Sequence, residues 1–238
     1  MKALILAAGV GHRMQSTFPG MPKVMLPLSN KPLIERHIEH LKKFGILDFY
    51  INLHYLPELI KNHLGKGEKW GVRIHYSYEP VLLGTSGALV NFARDLDETF
   101  IVLYGDVFTT INFDFFLKFH KIKNSHATLL VHKTDHPEDS DLIALDKKNL
   151  IYQFYVSPHK KRVINTDLSS AAIYILEPDV LKFIPEKIPS DFVEDMFPNL
   201  LEKGFKMYGY LSAEYTKDLG TLKRYEKVQK DFKRLNLK

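Results

Sequence analysis

Hydrophobic positions along this chain follow two alternating patterns, short continuous apolar runs and amphipathic stretches with helical spacing. Apolar runs of about five residues bounded by turn residues are typical of buried strands. Apolar residues three and four positions apart are typical of helices that cover a sheet. The runs predict strands at residues 3–8, 49–53, 72–76, 100–104 and 127–131. The spacing predicts helices at residues 32–44, 56–64, 86–93 and 112–120. This alternation predicts an α/β fold of three layers, with a Rossmann-like, doubly wound and mainly parallel sheet.

From about Asp141 the pattern changes to short strands joined by turns, which predicts a small β-rich subregion. These strands are predicted at residues 142–145, 150–156, 162–164 and 171–176. A helix at 190–203, a strand at 206–210 and a final amphipathic helix at 221–235 follow. Ser190 or Asp191 is the expected N-cap of the first helix, Pro198 should interrupt it and Gly204 should end it. No stretch rich in Pro, Gly or Ser divides the chain, so a single domain over residues 1–238 is expected.

Composition excludes several classes of protein. The 238 residues include no Cys, so a disulfide framework, a thiolate metal cluster and a cysteine nucleophile are excluded. Lys and Arg number 33 and Asp and Glu 28, and this net charge of +5 suits an anionic small molecule as well as a nucleic acid. Trp70 stands among only a few lysines, which predicts a solvated loop and no nucleic-acid partner. No apolar run is long enough for a signal peptide or a membrane span, so a cytoplasmic protein is expected.

A glycine-rich turn follows the first predicted strand, in the sequence L-A-A-G-V-G-H-R-M at residues 6–14. Such a turn lets backbone N–H groups approach a phosphate closely, although an ordinary β–α turn also uses glycines. The third glycine of a dinucleotide-binding motif would fall at Met14, which argues against an NAD(P)-dependent oxidoreductase, and no Walker A loop is present. Arg13 and Lys23 could converge on a triphosphate and stabilise its charge.

A second glycine-containing segment, E-P-V-L-L-G-T-S-G-A-L, covers residues 79–89. Gly84 and Gly87 flank a predicted helix start that Thr85 or Ser86 can cap. A helix start of this kind can hold a base or a phosphate, and a simple capping turn is the alternative.

Two aspartates occupy positions at which a carboxylate could bind Mg²⁺. Asp106 follows the buried strand at 100–104, and Asp218 begins the sequence D-L-G-T before the last helix. Ligands of parallel sheets bind at the carboxyl ends of the strands, and Mg²⁺ prefers oxygen ligands that it shares with substrate phosphates. Asp106 could instead cap a helix or form a turn, and Asp218 or Thr221 could cap the last helix. A doubly wound sheet would bring the two carboxylates to one side.

These four motifs, in this order, resemble the sugar-1-phosphate nucleotidyltransferase family from Lys2 to about Tyr225. The resemblance implies that residues 1–135 bind the nucleotide and that residues 136–238 bind the sugar phosphate and end in the C-terminal helix. It implies catalytic roles for Arg13, Lys23 and Asp106, and a Mg²⁺ site at Asp106 and Asp218. The nucleotide-binding residues that it implies are Leu6, Ala8, Gly9, Gly11, His12, Arg13, Lys23, Glu79, Gly84, Thr85 and Asp106.

One part of the chain departs from the family pattern. Relatives often carry Glu-Lys-Pro after a strand, where the lysine meets the sugar phosphate, but the aligned residues 154–158 are F-Y-V-S-P. Lys160 or Lys161 could supply the lost cation, and a solvated basic turn is the alternative. The expected sugar-phosphate-binding residues are Gly87, Ser140, Ser157, Lys160, Ser170 and Asp218.

The resemblance implies an enzyme that joins a nucleoside triphosphate to a sugar 1-phosphate and releases pyrophosphate, with Mg²⁺ as cofactor. The sequence of residues 82–88 resembles most closely the corresponding motif of guanylyltransferases that act on mannose- or heptose-type 1-phosphates. GTP is therefore the favoured nucleotide. UTP or CTP with N-acetylmuramate 1-phosphate, glucose 1-phosphate or phosphocholine as acceptor stays open. So does a catalytically silent protein that binds nucleotide sugars. The expected partners are these small molecules, and the family allows a homodimer.

Overall fold

In the computed structural model, every predicted strand except the one at 162–164 is present within three residues of its expected bounds, and several very short strands are additional. The structure describes residues 1–159 and 164–236. Its strands, in chain order, are β1 (Lys2–Leu6), β2 (Pro27–Leu28), β3 (Lys31–Pro32), β4 (Asp48–Leu53), β5 (Arg73–Tyr78), β6 (Phe100–Tyr104), β7 (Val107–Thr109), β8 (Ala127–Lys133), β9 (Leu142–Leu145), β10 (Ile151–Tyr155), β11 (Leu168–Leu176), β12 (Met207–Leu211) and β13 (Thr216–Asp218).

The α-helices of the described residues are α1 (His12–Gln15), α2 (Leu33–Lys42), α3 (Pro57–Leu64), α4 (Phe113–Lys123), α5 (Phe197–Glu202) and α6 (Leu222–Arg234). Short 3₁₀ turns cover Lys23–Met25, Glu68–Trp70, Gly87–Phe92, Pro137–Asp139 and Pro178–Phe183. None of the helices in the part of the chain that the structure describes combines the length and apolar character needed to cross a membrane.

Three sequence-based predictions of local structure were wrong in part. The stretch predicted as a helix at 86–93 is a 3₁₀ helix, Gly87–Phe92, and the N–H and hydroxyl of its N-cap Ser86 are both bonded to Ser190. The helix at 190–203 begins as a π-helix, Phe192–Met196, before α5. Pro198, predicted to interrupt the helix, lies in the first turn of α5, where its missing N–H is tolerated, and the π-helix continues into α5 without a gap. Of the strand predicted at 162–164, residue 164 is not a strand and the rest lies outside the described residues.

The chain divides into two compact units, and their segments alternate along the sequence. Unit 1 comprises Met1–Leu82, Val102–Phe113 and Glu214–Lys238, and unit 2 comprises Leu83–Ile101 and Asp114–Ala213. The C-terminal helix therefore belongs to the unit that contains the N-terminus. The assignment of all 238 residues to a single domain stays a prediction.

Unit 1 contains a parallel sheet, as the alternating pattern predicts. β1 pairs with β4 and β4 with β5, both in parallel, and β6 lies on the other side of β1. The predicted α/β class is confirmed. Two small antiparallel ribbons, β2–β3 and β7–β13, complete the unit.

A buried cluster in unit 1 packs the first loop, the β7–β13 ribbon and α6 together. Met14, which replaces the third glycine of a dinucleotide-binding motif, is 1% exposed within it. The other buried members are Leu26, Leu28, Leu33, Phe108, Leu219, Tyr225 and Val228. This cluster anchors the chain next to Arg13 and Asp218, because Met14 and Leu219, the residues that follow them, both belong to it.

Unit 2 contains the predicted β-rich region. β8 pairs in parallel with β12 and antiparallel with β11, and β9 and β10 form an antiparallel pair joined to β11. The register of β11 shifts between Ser170 and Tyr174, and Ala172 there has φ +57°. This bulge bends the strand next to the predicted sugar-phosphate residue Ser170.

Candidate active site

The glycine-rich loop begins two residues earlier than the predicted strand at residues 3–8 implies. β1 ends at Leu6 because the Ala7 N–H donates to the Asn52 side-chain oxygen, at 2.8 Å, instead of to a neighbouring strand. The Asn52 amide in turn donates to Glu79 Oε1 at 2.8 Å, and both side chains are buried. Asn52 thus sets the point at which the backbone leaves the sheet. Glu79 supports the loop through Asn52, and its contact with a nucleobase stays a prediction.

The two glycines of this loop, Gly9 and Gly11, differ in what lies next to them. Gly11 has φ +69°, and a Cβ there would lie 2.6 Å from Cγ of Lys23, so the lysine chain packs directly on it. A Cβ at Gly9 would meet no atom within 4 Å. Packing in the protein therefore does not require glycine at Gly9, whereas close approach of a phosphate to the backbone would. Ala8, which lies between the end of β1 and Gly9, is buried. His12 and Arg13, in α1, are exposed.

Gln15 closes the loop, and its role has no local sequence signal. Its side-chain amide donates to the carbonyl oxygens of Val10 and Met21, at 3.2 and 3.1 Å. Its Oε1 accepts from Gly20 N–H and from the Tyr55 hydroxyl. One side chain therefore joins the two arms of the segment that carries Arg13 and Lys23.

Lys23 and Asp106 form an ion pair. Lys23 Nζ donates to Asp106 Oδ2 at 2.7 Å, and the two side chains are 16% and 25% exposed. Asp106 stands in the tight turn after β6, beside Gly105, whose N–H donates to Leu6 O at 2.9 Å. A Cβ on Gly105 would lie 2.6 Å from that same oxygen, so only glycine allows the turn to meet the end of β1. The cation and the carboxylate are therefore both held against the glycine-rich loop.

The β7–β13 ribbon brings the second aspartate to the first. Asp218 pairs with Val107 in the antiparallel register, and Leu219 N–H donates to Asp106 O at 2.7 Å. The backbones of Asp106 and Asp218 therefore lie close together, as the sequence predicts. The element that brings them together is the short β7–β13 ribbon and not the main sheet. Three-residue strands more than a hundred residues apart leave no periodic signal, so the ribbon itself was not predicted.

Asp218 is surrounded by donors. Arg224 Nη1 lies 2.8 Å from Oδ1 and 3.0 Å from Oδ2, and the Gly220 N–H donates to Oδ1 at 2.9 Å. Burial opposes ionisation, but the hydrogen bonds from Arg224 and Gly220 and the charges of Arg224 and Lys23 outweigh it. The pKa of Asp218 therefore lies below its ordinary value. The side chain is a carboxylate at neutral pH.

Arg13 belongs to the same group of charged side chains. A Cβ on Gly220 would lie 2.7 Å from Asp218 Oδ1 and 3.5 Å from Arg13 Nη2. The guanidinium and the carboxylate therefore flank one glycine. Arg13, Lys23, Asp106 and Asp218, four residues singled out in the sequence, meet at one place in unit 1.

The carboxylates also suit the chemistry of Mg²⁺, which takes oxygen ligands and shares them with phosphates. Of the Asp106 oxygens, Oδ2 is the one that Lys23 engages. Within residues 1–159 and 164–236, no group of three or more His, Cys, Asp or Glu could hold a metal by itself. A cation held by Asp106 and Asp218 would therefore need phosphate or water oxygens as its remaining ligands, which is how Mg²⁺ usually binds with nucleotides.

His37 supports the turn of Asp106 from the core. Its Nε2 lies 3.1 Å from Gly105 O, and because a carbonyl oxygen accepts, Nε2 carries the proton. Burial lowers the pKa of His37 to about 4, partly opposed by this hydrogen bond. The ring is therefore a neutral structural donor, as is consistent with His37 being a core residue and not a metal ligand.

This burial makes unfolding pH-dependent. The usual pKa of histidine is 6.5, so between pH 6.5 and 4 the His37 ring is protonated in the unfolded chain but stays neutral in the folded protein. The stabilisation is complete above pH 6.5 and is lost as the pH falls towards 4, by a total of about 3 kcal/mol. Urea unfolding of the wild type and of His37→Gln at pH 7 and 4.5 should show a smaller loss in the variant. His75→Gln, at an exposed histidine, serves as the control, and equal losses in all three proteins would contradict the prediction.

In unit 2, the segment with Gly84 and Thr85 is fastened to the start of the π-helix. Ser190 N–H donates to Leu83 O and Ser86 N–H donates to Ser190 O. The Thr85 hydroxyl donates to Asp191 Oδ2 at 2.6 Å, and Asp191 Oδ1 caps the helix by accepting from Val193 N–H. Asp191 is thus the predicted N-cap. Gly84 has φ +84°, and a Cβ there would lie 2.2 Å from Ser190 O, so glycine is required at this crossing.

The residues predicted to bind a sugar phosphate have structural partners in unit 2. Ser140 and Ser157 belong to neighbouring loops, since Asp141 Oδ1 accepts from Ser157 N–H at 2.9 Å. The Ser170 hydroxyl donates to the Tyr174 hydroxyl at 3.1 Å across the bulge of β11. A Cβ on Gly87 would lie 3.2 Å from Ser190 Oγ. Lys160 and Lys161 lie outside the described residues. The binding roles of these residues stay predictions.

Comparison with known proteins identifies relatives over nearly the whole chain. A family model described as nucleotidyl transferase matches residues 2–234. A UTP–glucose-1-phosphate uridylyltransferase of Synechocystis is 30% identical over 94% of this chain and 61% of its own length. A mannose-1-phosphate guanyltransferase of Saccharomyces cerevisiae is 32% identical over 94% of this chain and 63% of its own length. The chain thus spans about three fifths of the length of these curated relatives.

A solved structure supports the fold independently. The protein, from Bacillus anthracis, is provisionally named a glucose-1-phosphate thymidylyltransferase and was crystallised with a sucrose. It superimposes with a TM-score of 0.85 at 20% identity, covering 97% of this chain and 94% of that one. At this identity the likeness concerns the α/β fold alone.

Proposed function

The chain belongs to the nucleotidyl transferase family, and from this membership we propose that it transfers a nucleotidyl group from a nucleoside triphosphate to a sugar 1-phosphate. The proposed nucleotide is GTP, and the proposed acceptor is a mannose- or heptose-type 1-phosphate. The products are a nucleoside-diphosphate sugar and pyrophosphate. Mg²⁺ is the proposed cofactor, held by Asp106 and Asp218.

The observation that carries this proposal is the meeting of Arg13, Lys23, Asp106 and Asp218 in unit 1. Two cations and two carboxylates lie beside a glycine-rich loop in which a Cβ at Gly9 would meet no atom within 4 Å. This arrangement suits a triphosphate and a divalent cation together. A purely structural role would not account for four charged, partly exposed side chains at one point of the unit.

In the proposed reaction, an oxygen of the sugar phosphate attacks the α-phosphorus of the triphosphate in line. The new P–O bond forms as the bond to the bridging oxygen of the β-phosphate breaks, and the electron pair leaves on pyrophosphate. Lys23 and Arg13 balance the negative charge of the phosphate oxygens, and the loop orients the triphosphate. When bound, Mg²⁺ adds positive charge at the phosphate oxygens. No protein nucleophile takes part.

The choice of GTP and of a mannose- or heptose-type acceptor is supported by the spelling of residues 82–88 and by the yeast relative's name. The cyanobacterial relative is named for UTP and glucose 1-phosphate, so that pair is the main alternative. The missing Glu-Lys-Pro at residues 154–158 concerns the acceptor and leaves the reaction class unaffected.

Pyrophosphate release measured over a grid of substrates tests this proposal. GTP, UTP, CTP, dTTP and ATP are each combined with mannose, heptose, glucose and N-acetylmuramate 1-phosphates in the presence of Mg²⁺. The expected result is release with one triphosphate, GTP, and one acceptor of the mannose or heptose type. Asp106→Asn, purified in the same way, controls for contaminating enzymes. Release with UTP and glucose 1-phosphate would overturn the substrate assignment, and silence over the whole grid would overturn the reaction.

A further inference from the structure

Arg224 stands where local helix chemistry disfavours it. α6 starts after Thr221, whose hydroxyl accepts from Arg224 N–H at 3.3 Å, so Arg224 is the third residue of the first turn. At this position after a capping threonine, Glu or Gln is typical, because it can bond back to the cap. The N-terminus of a helix carries a partial positive charge that disfavours cations, and this first turn contains no acidic residue. Its two charged side chains are Lys223 and Arg224.

The position of Arg224 is explained by Asp218. One guanidinium nitrogen lies within 3.0 Å of both carboxylate oxygens. Both groups are about one-third exposed, so the pair is open to solvent and to small ions. The carboxylate thus has a positive partner that its own chain provides, on the oxygens that a metal would use.

We propose that Arg224 is a counter-ion that a divalent cation must displace from Asp218, so that Arg224 sets the metal affinity of this carboxylate. The inference rests on the assignment of Asp218 as a metal ligand in the proposed function. Competition follows because a carboxylate oxygen cannot give the same lone pair to a guanidinium and to a cation, and because two positive charges near one carboxylate repel.

Displacement also changes the charge available to phosphates. Arg13 Nη2 and Asp218 Oδ1 both lie within 3.5 Å of the point that a Gly220 Cβ would occupy. A guanidinium released from Asp218 therefore joins Arg13 and Lys23 as a third cation in this part of unit 1. Planar guanidinium groups pair readily with phosphate oxygens, so metal binding would prepare Arg224 for the triphosphate.

Binding of Mn²⁺ to the full chain without nucleotide tests the inference, with free Mn²⁺ counted by its EPR signal. Arg224→Gln is expected to bind Mn²⁺ about two- to fivefold more tightly than the wild type, the range expected for a partly exposed ion pair. Lys223→Gln removes the same charge from the neighbouring residue and should leave the affinity within experimental error. Arg224→Lys keeps the charge without the planar group and should fall between the wild type and Arg224→Gln. Thermal unfolding of each variant establishes that it is folded.

The outcomes separate this inference from the metal assignment itself. When Asp218 is already replaced by asparagine, adding Arg224→Gln should no longer change the affinity for Mn²⁺. If Asp218→Asn weakens Mn²⁺ binding but Arg224→Gln matches Lys223→Gln, the metal site stands and the role of Arg224 is overturned. If Asp218→Asn binds Mn²⁺ as the wild type does, or if no variant binds it measurably, both the metal assignment and the inference fail.

Discussion

Replacing Lys23 with methionine is expected to lower kcat/KM for pyrophosphate release by roughly 10²- to 10³-fold, the usual effect of removing one preorganised donor from a transition state. Methionine keeps an apolar chain of similar length, so the packing of the lysine methylenes on Gly11 is largely retained. The change removes the positive charge beside Asp106 and little else. The loss should appear in kcat, because charge at the α-phosphate grows as the transition state forms.

Lys61→Met is the matched control for this variant. Lys61 also pairs with a carboxylate, Glu58 at 3.0 Å, but it lies on the exposed face of α3. Activity of Lys61→Met should equal that of the wild type, and the melting temperatures of both variants should stay within a few degrees of it, because partly exposed ion pairs contribute about 1 kcal/mol or less. A folded Lys23→Met protein with wild-type turnover would show that Lys23 is structural.

Replacing Asp218 with asparagine is expected to lower Mg²⁺-dependent turnover by roughly 10³-fold, since a metal contributes several kcal/mol of charge stabilisation. Asparagine can still accept the Gly220 N–H, so the turn before α6 should be preserved. What is lost is the negative charge that would hold the cation. Chelation with EDTA should reduce wild-type turnover to the level of the variant.

The ion pair of Asp48 with Arg73 offers a comparable change elsewhere in unit 1. This pair also joins an aspartate to an arginine, at the exposed edge formed by β4 and β5. Asp48→Asn should therefore lose a similar ion pair and keep full turnover. Equal activity of Asp218→Asn and Asp48→Asn would remove Asp218 from the proposed metal site.

The main strands could be predicted because their signal is local. β6 (Phe100–Tyr104) matches its predicted bounds, since an apolar run of this length that ends at a glycine is typical of a buried strand and short for a helix. α6 was predicted because its apolar residues recur at helical spacing, which is also a local signal. The 3₁₀ geometry at Gly87–Phe92 was not predicted, because apolar spacing over so few residues does not distinguish a 3₁₀ helix from an α-helix.

The charged residues of the candidate site could be named from the sequence, but the residues that hold them could not. Arg13, Lys23, Asp106 and Asp218 belong to motifs with recognisable spelling. Asn52 and His37 act through contacts with backbone groups that are distant in sequence, and Gln15 acts through bonds across its own loop and to Tyr55. An isolated Asn, Gln or His has no sequence pattern that marks such contacts. Arg224 carried one local sign, a cation where an acidic residue is typical.

The alternation of units along the chain has a consequence for synthesis on the ribosome. β7 can pair with β13 only after residues 216–218 have been synthesised. Unit 1 contains Met1–Leu82 as well as Glu214–Lys238, so it also depends on these later residues. Chains emerge N-terminus first at about 5–20 residues per second, so for several seconds a nascent chain has Lys23 and Asp106 without Asp218. Of Arg13, Lys23, Asp106 and Asp218, the order of translation therefore makes Asp218 the last to be synthesised. The proposed metal site would be complete only after Asp218 has been added to the chain and β13 has paired with β7.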